Sequence, residues 1–276
     1  MNPPTESEII DALDDYRNHI LEHNTKVFML LVHVAETAEA PEDFDDEEIA
    51  EMRREFMWDQ LCVSRPESLP TDDPRLITVP SDVLRWWDDI VAIPELALDG
   101  TVVIEAECQR AAWREEYRAG IEAGLRAMGG QAAKLWFPDD FAVIMEHVDS
   151  LEGPGWPLYR EHYQQVCFWN GLGETADAVA ERVWTDPEAL KRKVGRRSWD
   201  VLAGWECGRG ADATCFIVYF RDQEDQRIGY WWWRYVVHLG PDVYIFDSVV
   251  QLLGWYKTFR EPALEFVDFI AGRVFE

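Results

Sequence analysis

A few side chains in this 276-residue chain have types and spacing that could support chemistry. His19 and His23 stand four apart, which on a helix puts both imidazoles on one face, within reach of a shared metal ion. No third ligand is placed to join them, so solvated helix histidines are the simpler reading. Cys207 and Cys215 flank the segment "GRGADAT". A zinc ion there would need two further ligands, and buried thiols are the plainer alternative. The acidic pairs Asp88–Asp89 and Asp139–Asp140 could serve as acid and base in a glycosidase. With 53 Asp and Glu in the chain, however, such pairs arise by abundance, and Asp139–Asp140 directly after Pro138 reads as the first turn of a helix. The sequence has no GxSxG, HExxH, P-loop or GxGxxG. These patterns lead us to expect a protein that is not an enzyme and uses no metal and no cofactor.

Charge narrows the partner class. The chain carries a formal −27, and residues 1–100 hold 25 acidic against 7 basic side chains, so the field is concentrated there. Such a field repels nucleic-acid phosphates and anionic membranes and attracts basic proteins. We therefore expect a basic protein partner, no nucleic acid and no membrane. The one cluster of positive charge, "KRKVGRR" (191–197), either complements the C-terminus of its own helix or pairs with the acidic run "EDFDDEE" (42–48). Five cysteines without a paired framework, no signal-peptide pattern in "MNPPTESEII" and no long apolar run suggest a cytoplasmic or nuclear protein.

The elements that must position these residues follow from periodicity. Ile10, Leu13, Ile20, Val27, Leu31 and Val34 recur at helical spacing and predict a helix over 5–38. A second is expected from the acidic run to about Leu61, and a third over "PSDVLRWWDDIV" with Ser81 as its N-cap. A longer helix is expected over 102–128, striped by Trp113, Tyr117, Ile121, Leu125 and Met128 and stopped by Gly129–Gly130. From about residue 164 the pattern turns β-rich. "QQVCFWN" is a candidate strand, then Asp186 and Pro187 start a short helix, and four β-rich runs follow. Ser248 then caps "VVQLLGWYKTF", and "EPALEFVDFIAG" makes a last helix. The expected class is α+β: an acidic helical extension over 1–100, then an α+β domain over 101–276 with a mainly antiparallel sheet flanked by helices.

Within "IGYWWWRYVVHLG" (228–240), strand alternation separates two faces. Trp231, Trp233, Tyr235, Val237 and Leu239 form an apolar face expected to fill the core. Tyr230, Trp232, Arg234 and His238 fall on a mixed face of the residue types enriched at binding hot spots. They are the candidate partner-binding residues, with Trp156 as a further exposed-indole candidate. The plainer alternative packs Trp232 beneath a helix.

Three segments carry a family resemblance. The helix ending at Gly129–Gly130 runs into "LWFPDDF" (135–141), which is similar to the "LP-x-x-[YF]" element of SUKH domains. "SWDVLAGWECGRGADATCFIVYF" resembles their sheet segment. "IGYWWWRYVVHLGPDVYIFDSVVQLLGWY" resembles the strand–loop–strand that enters a Ser-started helix, here at Asp247–Ser248. Phe137 stands where Leu is usual, and "EGPGWP" replaces the expected Asn-Gly, which occurs later as Asn170–Gly171. The resemblance spans about residues 105–260 and is to the superfamily of fungal cell-wall-assembly regulators and bacterial toxin-immunity proteins. It implies a non-enzymatic module that binds proteins, with a regulatory role in cell-wall assembly or signalling leading, and neutralisation of a basic nuclease toxin as the alternative. A reading from another class is carbohydrate binding or hydrolysis, with Trp232 and Trp156 on one exposed platform beside carboxylates.

Overall fold

The computed structural model describes residues 3–60, 79–93, 96–103, 106–151, 169, 173–195, 198–209, 213–222, 231–258 and 264–275. They form an α+β protein with two compact units, each discontinuous in sequence. The sheet unit comprises the described residues within Met1–Arg17, Gly100–Gly153 and Gln164–Lys257, and the helical unit those within Asn18–Asp99, Pro154–Tyr163 and Thr258–Glu276.

Helix α1 (Glu6–Thr37) begins with a reciprocal cap: the Thr5 N–H donates to Glu8 at 2.7 Å, and the Glu8 N–H donates to the Thr5 hydroxyl at 3.3 Å. Its buried stripe starts at Ile9 rather than Ile10 and continues through Leu13, Tyr16 and Ile20. Helix α2 (Asp46–Gln60) starts where Asp45 accepts hydrogen bonds from the N–H groups of Glu47 and Glu48, both at 2.9 Å. The third expected helix departs from its reading. Ser81 makes no side-chain cap. The Asp82 carboxylate instead reaches back to accept from the Val79 N–H at 3.1 Å. That tightens the chain into a 3₁₀ turn over Pro80–Trp86 before the short α3 (Trp87–Val91). In the core of the helical unit Val27, Phe28, Leu31, Val83, Ile90 and Ile270 meet, and Phe28 stacks on Trp87 with centroids 4.5 Å apart.

In the sheet unit, Thr101–Val102 (β1) pairs antiparallel with Ser150–Leu151 (β2). The long helix α4 therefore starts only at Glu107, later than periodicity alone indicates, and ends at Met128. Gly129 and Gly130 both adopt positive φ beyond it, a conformation that favours glycine. Helix α5 (Asp139–His147) follows, then α6 (Ala176–Ala180) and α7 (Pro187–Val194), with Asp186 capping the Glu188 and Ala189 N–H groups as expected. Lys191, Arg192 and Lys193 occupy the last turn of α7, where cations meet the negative end of its dipole. Strands β3 (Trp199–Arg209), β4 (Ala213–Asp222), β5 (Trp232–Leu239) and β6 (Asp242–Phe246) form one antiparallel sheet in sequence order. Helix α8 (Val249–Tyr256) leaves β6 through the Ser248 cap, and α9 (Leu264–Gly272) belongs to the helical unit.

Both sheet faces are covered. On one, Cys215, Ile217 and Tyr219 of β4 align with Val237, Tyr235 and Trp233 of β5. This face meets α4 and α5: Phe141 lies 6.3 Å from Tyr235, and Trp205 donates to the Tyr117 hydroxyl at 3.1 Å. On the other, Phe216, Val218, Phe220 and Val236 pack with Leu190 and Val194 of α7. Close approach is built into α4 by two glycines one turn apart. A Cβ on Gly120 would lie 2.5 Å from the Ala176 carbonyl and 2.7 Å from Val179 Cβ, and one on Gly124 would lie 2.5 Å from Val183 Cγ2. Because backbone atoms cannot yield as a flexible side chain does, Gly120→Ala is expected to cost about 2 kcal/mol despite alanine's better helix propensity. Thermal melting checks this, and an unchanged or raised midpoint would contradict the contact.

Candidate functional site

The site grows from a mismatch in strand length. β6 ends at Phe246, opposite Tyr235, so Trp232, Trp233 and Arg234 extend beyond their neighbour on that side. The chain turns there into α8, where Ser248 accepts from the Gln251 N–H at 3.4 Å and the Gln251 side chain accepts from the Asp247 N–H at 2.9 Å. The gap left beside β5 is a cleft of about 720 Å³. One wall is Trp232, Trp233 and Arg234, a second is Asp247, Ser248 and Gln251, and the rim holds Pro3 and Pro4, which precede α1, with Glu8 and Asp11 from its first turns.

Asp140 stands at the cleft's base, and it ties three elements together. Its Oδ1 accepts from Tyr235 Oη at 2.7 Å, Trp233 Nε1 at 2.9 Å and the Phe141 N–H at 3.1 Å, while Oδ2 accepts from the Val249 N–H at 3.0 Å. The carboxylate of α5 thus serves as a cap for α8 and as the acceptor for two core aromatics of β5. Burial pushes the Asp140 carboxyl above its ordinary range, against the four hydrogen bonds that favour its ionised form. The Tyr235 hydroxyl is likewise held well above its usual value, first by burial and then by the adjacent Asp140 charge.

Arg234 is half-buried. It pairs with the Asp247 carboxylate, lies 4.9 Å over the Phe220 ring and donates to the Trp233 carbonyl at 2.9 Å. Burial lowers its guanidinium from the ordinary value, with the Asp247 charge opposing that shift.

Among the candidates from sequence, Trp232 and Arg234 come together in the cleft. Trp232 pairs with Phe220 and packs partly against the apolar cluster beneath α7, so its plainer reading is met on one side while the other side lines the cleft. Its indole N–H is shielded and has no acceptor among the described residues. His238 shares the strand face but pairs with Thr214 and Val243, six residues and about 20 Å along β5 from Trp232, and does not line the cleft. Tyr230 and Trp156 lie outside the described residues, as do Cys62, Cys167 and most of "QQVCFWN".

One core assignment needs correction. Trp231 does not fill the core: it is half-buried, donates to Gln131 Oε1 at 2.6 Å and lies under the Arg221 guanidinium at 5.1 Å, because it precedes β5 at the open end of the sheet. The mixed face also contributes to the core: Val236, between Arg234 and His238, is fully buried beneath α7.

Sequence reasoning missed Asp140, Asp247, Glu8 and Asp11 as site residues. The one signal for Asp140 is an acid among the apolar residues of "PDDFAVIM", at the helical spacing of Ile144. Of the acidic pair, Asp139 is exposed and Asp140 is engaged with structural donors through both oxygens. Among the described residues, no group of three or more His, Cys, Asp or Glu could hold a metal ion, and no helix is long and apolar enough to cross a membrane. Compared with family models, curated proteins and solved structures, the chain matches none.

Proposed function

We propose that this protein is a non-enzymatic interaction module of SUKH type, cytoplasmic or nuclear, that binds a basic protein partner through the cleft beside β5. The observation that carries this reading is the cleft itself, which sets a half-buried Trp and Arg beside an open strand segment and four carboxylates. Tryptophan and arginine in a partly desolvated depression are the types that contribute most at protein interfaces. The surrounding negative field raises the encounter rate with basic proteins. A regulatory role in cell-wall assembly or signalling is the leading context, and neutralisation of a basic toxin is the alternative within the same binding class.

The test is capture of partners from the source organism's lysate on wild type and on Trp232→Phe. Identified partners are then purified and titrated against both proteins. Phenylalanine keeps most of the contact with Phe220 and the cluster beneath α7, so the variant is expected to melt within a few degrees of wild type while its affinity falls about tenfold or more. A purified partner that binds both equally would rule out the cleft as the binding site.

A further inference from the structure

The chemistry of the cleft specifies what enters it, on the reading that the cleft is a protein-binding site. Among the described residues that line it, four are carboxylates, Glu8, Asp11, Asp140 and Asp247, against one cation, Arg234. They are not equivalent. Asp140 is occupied by its four donors and Asp247 by Arg234. Glu8 and Asp11 are three residues apart on α1, both exposed, and so project side by side from one helix face at the rim. Glu8 accepts its two Thr5 hydrogen bonds through Oε2. Among the described residues no cation pairs with either, so the two carboxylates offer acceptor capacity at the rim.

Arg234 shows how the cleft accommodates a guanidinium: paired with a carboxylate at one end and lying over an aromatic ring. Trp232 adds a partly exposed indole surface beside these charges, so an occupant that brings an apolar stem as well as a cation matches the cleft better than a bare amine or metal ion. A peptide segment with lysine or arginine carries both.

We propose that the cleft receives a lysine- or arginine-bearing segment of the protein partner, with its cation held at the rim by Glu8 and Asp11 while Arg234 keeps Asp247. Glu8 and Asp11 thereby determine specificity for basic segments, and Trp232 supplies contact area for the stem of the basic side chain.

The test uses the full chain and a short oligo-arginine peptide, with oligo-glutamate as a control, titrated by calorimetry at low and at physiological salt. Glu8→Gln/Asp11→Asn removes two charges at the rim while keeping an acceptor for the Thr5 N–H. Glu181→Gln/Glu188→Gln removes two exposed charges elsewhere on the sheet unit, so both doubles change net charge equally. Thermal melts establish that both remain folded. The rim double is expected to weaken oligo-arginine binding about tenfold and the control double less than about twofold. Equal weakening by both would mean that the overall field, not the cleft, attracts the peptide, and would overturn the proposal. So would absence of oligo-arginine binding to wild type. If either occurs while a purified natural partner still distinguishes wild type from Trp232→Phe, the rim assignment falls and the interaction-module reading stands.

Discussion

Replacing Asp140 with alanine is expected to destabilise the sheet unit by about 3 kcal/mol, a large share of the roughly 5–15 kcal/mol that holds a typical domain folded. The change strands Tyr235 Oη, Trp233 Nε1 and the Val249 N–H, which otherwise donate to this carboxylate at 2.7–3.0 Å. Each unsatisfied buried donor costs about 1–3 kcal/mol, and relief from burying the charge returns part of the sum. Asn in the same place is expected to cost less. Its carbonyl oxygen keeps the bonds from Trp233 and Tyr235, but its NH₂ group faces the Val249 N–H, donor against donor. Denaturant midpoints followed by tryptophan fluorescence measure both variants, and hydrogen exchange at the start of α8 reports the lost cap. An alanine variant within about 0.5 kcal/mol of wild type would show that the hub contributes little.

The same residue predicts a pH dependence. Burial raises the folded-state value of Asp140 above the unfolded value of about 3.9, so in the folded protein the proton binds more tightly. Its contribution is complete below the unfolded value and is lost as pH rises through the folded one. The stability difference between wild type and Asp140→Asn should therefore shrink as pH rises from below 4 through the acid range. A difference that grows over this range would show that the four hydrogen bonds outweigh burial.

Arg110→Met is the second large effect, with an expected loss of about 3–5 kcal/mol. The Arg110 Nε lies 3.0 and 2.8 Å from the two carboxylate oxygens of Asp149, whose side chain is 1% exposed. Arg110 also donates to Glu107 at 3.0 Å and to the Glu146 carbonyl at 3.3 Å, tying α4 to the end of α5 and the approach to β2. Methionine keeps much of the side chain's apolar stem but deprives a buried carboxylate of its guanidinium. Arg110→Met/Asp149→Asn, which removes both charges, is expected to recover about 2 kcal/mol of that loss. Additive losses in the cycle would mean that the pair is not coupled.

The elements themselves were legible in the sequence wherever a local pattern dictates them. The long first helix, the Asp186 cap with Pro187 behind it, the Gly129–Gly130 stop, the four β-rich runs and the Ser248 cap all depend on residues within a turn or two of each other. Alternation along β5 likewise placed Trp233, Tyr235 and Val237 toward the core. What local pattern could not carry is anything set by an absence or by a distant partner. The cleft exists because β6 ends opposite Tyr235, and Trp231 leaves the core because it precedes the strand at the sheet's open end. Asp140 reads in sequence as one of 53 acids and a plausible helix start, yet it becomes a hub only when residues 93 to 109 positions away fold against it. Propensity, capping and periodicity are short-range and survive in the one-dimensional string. Burial of a charge, satisfaction of its hydrogen bonds and the emptiness beside a short strand are properties of the packed chain, and only the tertiary structure decided them.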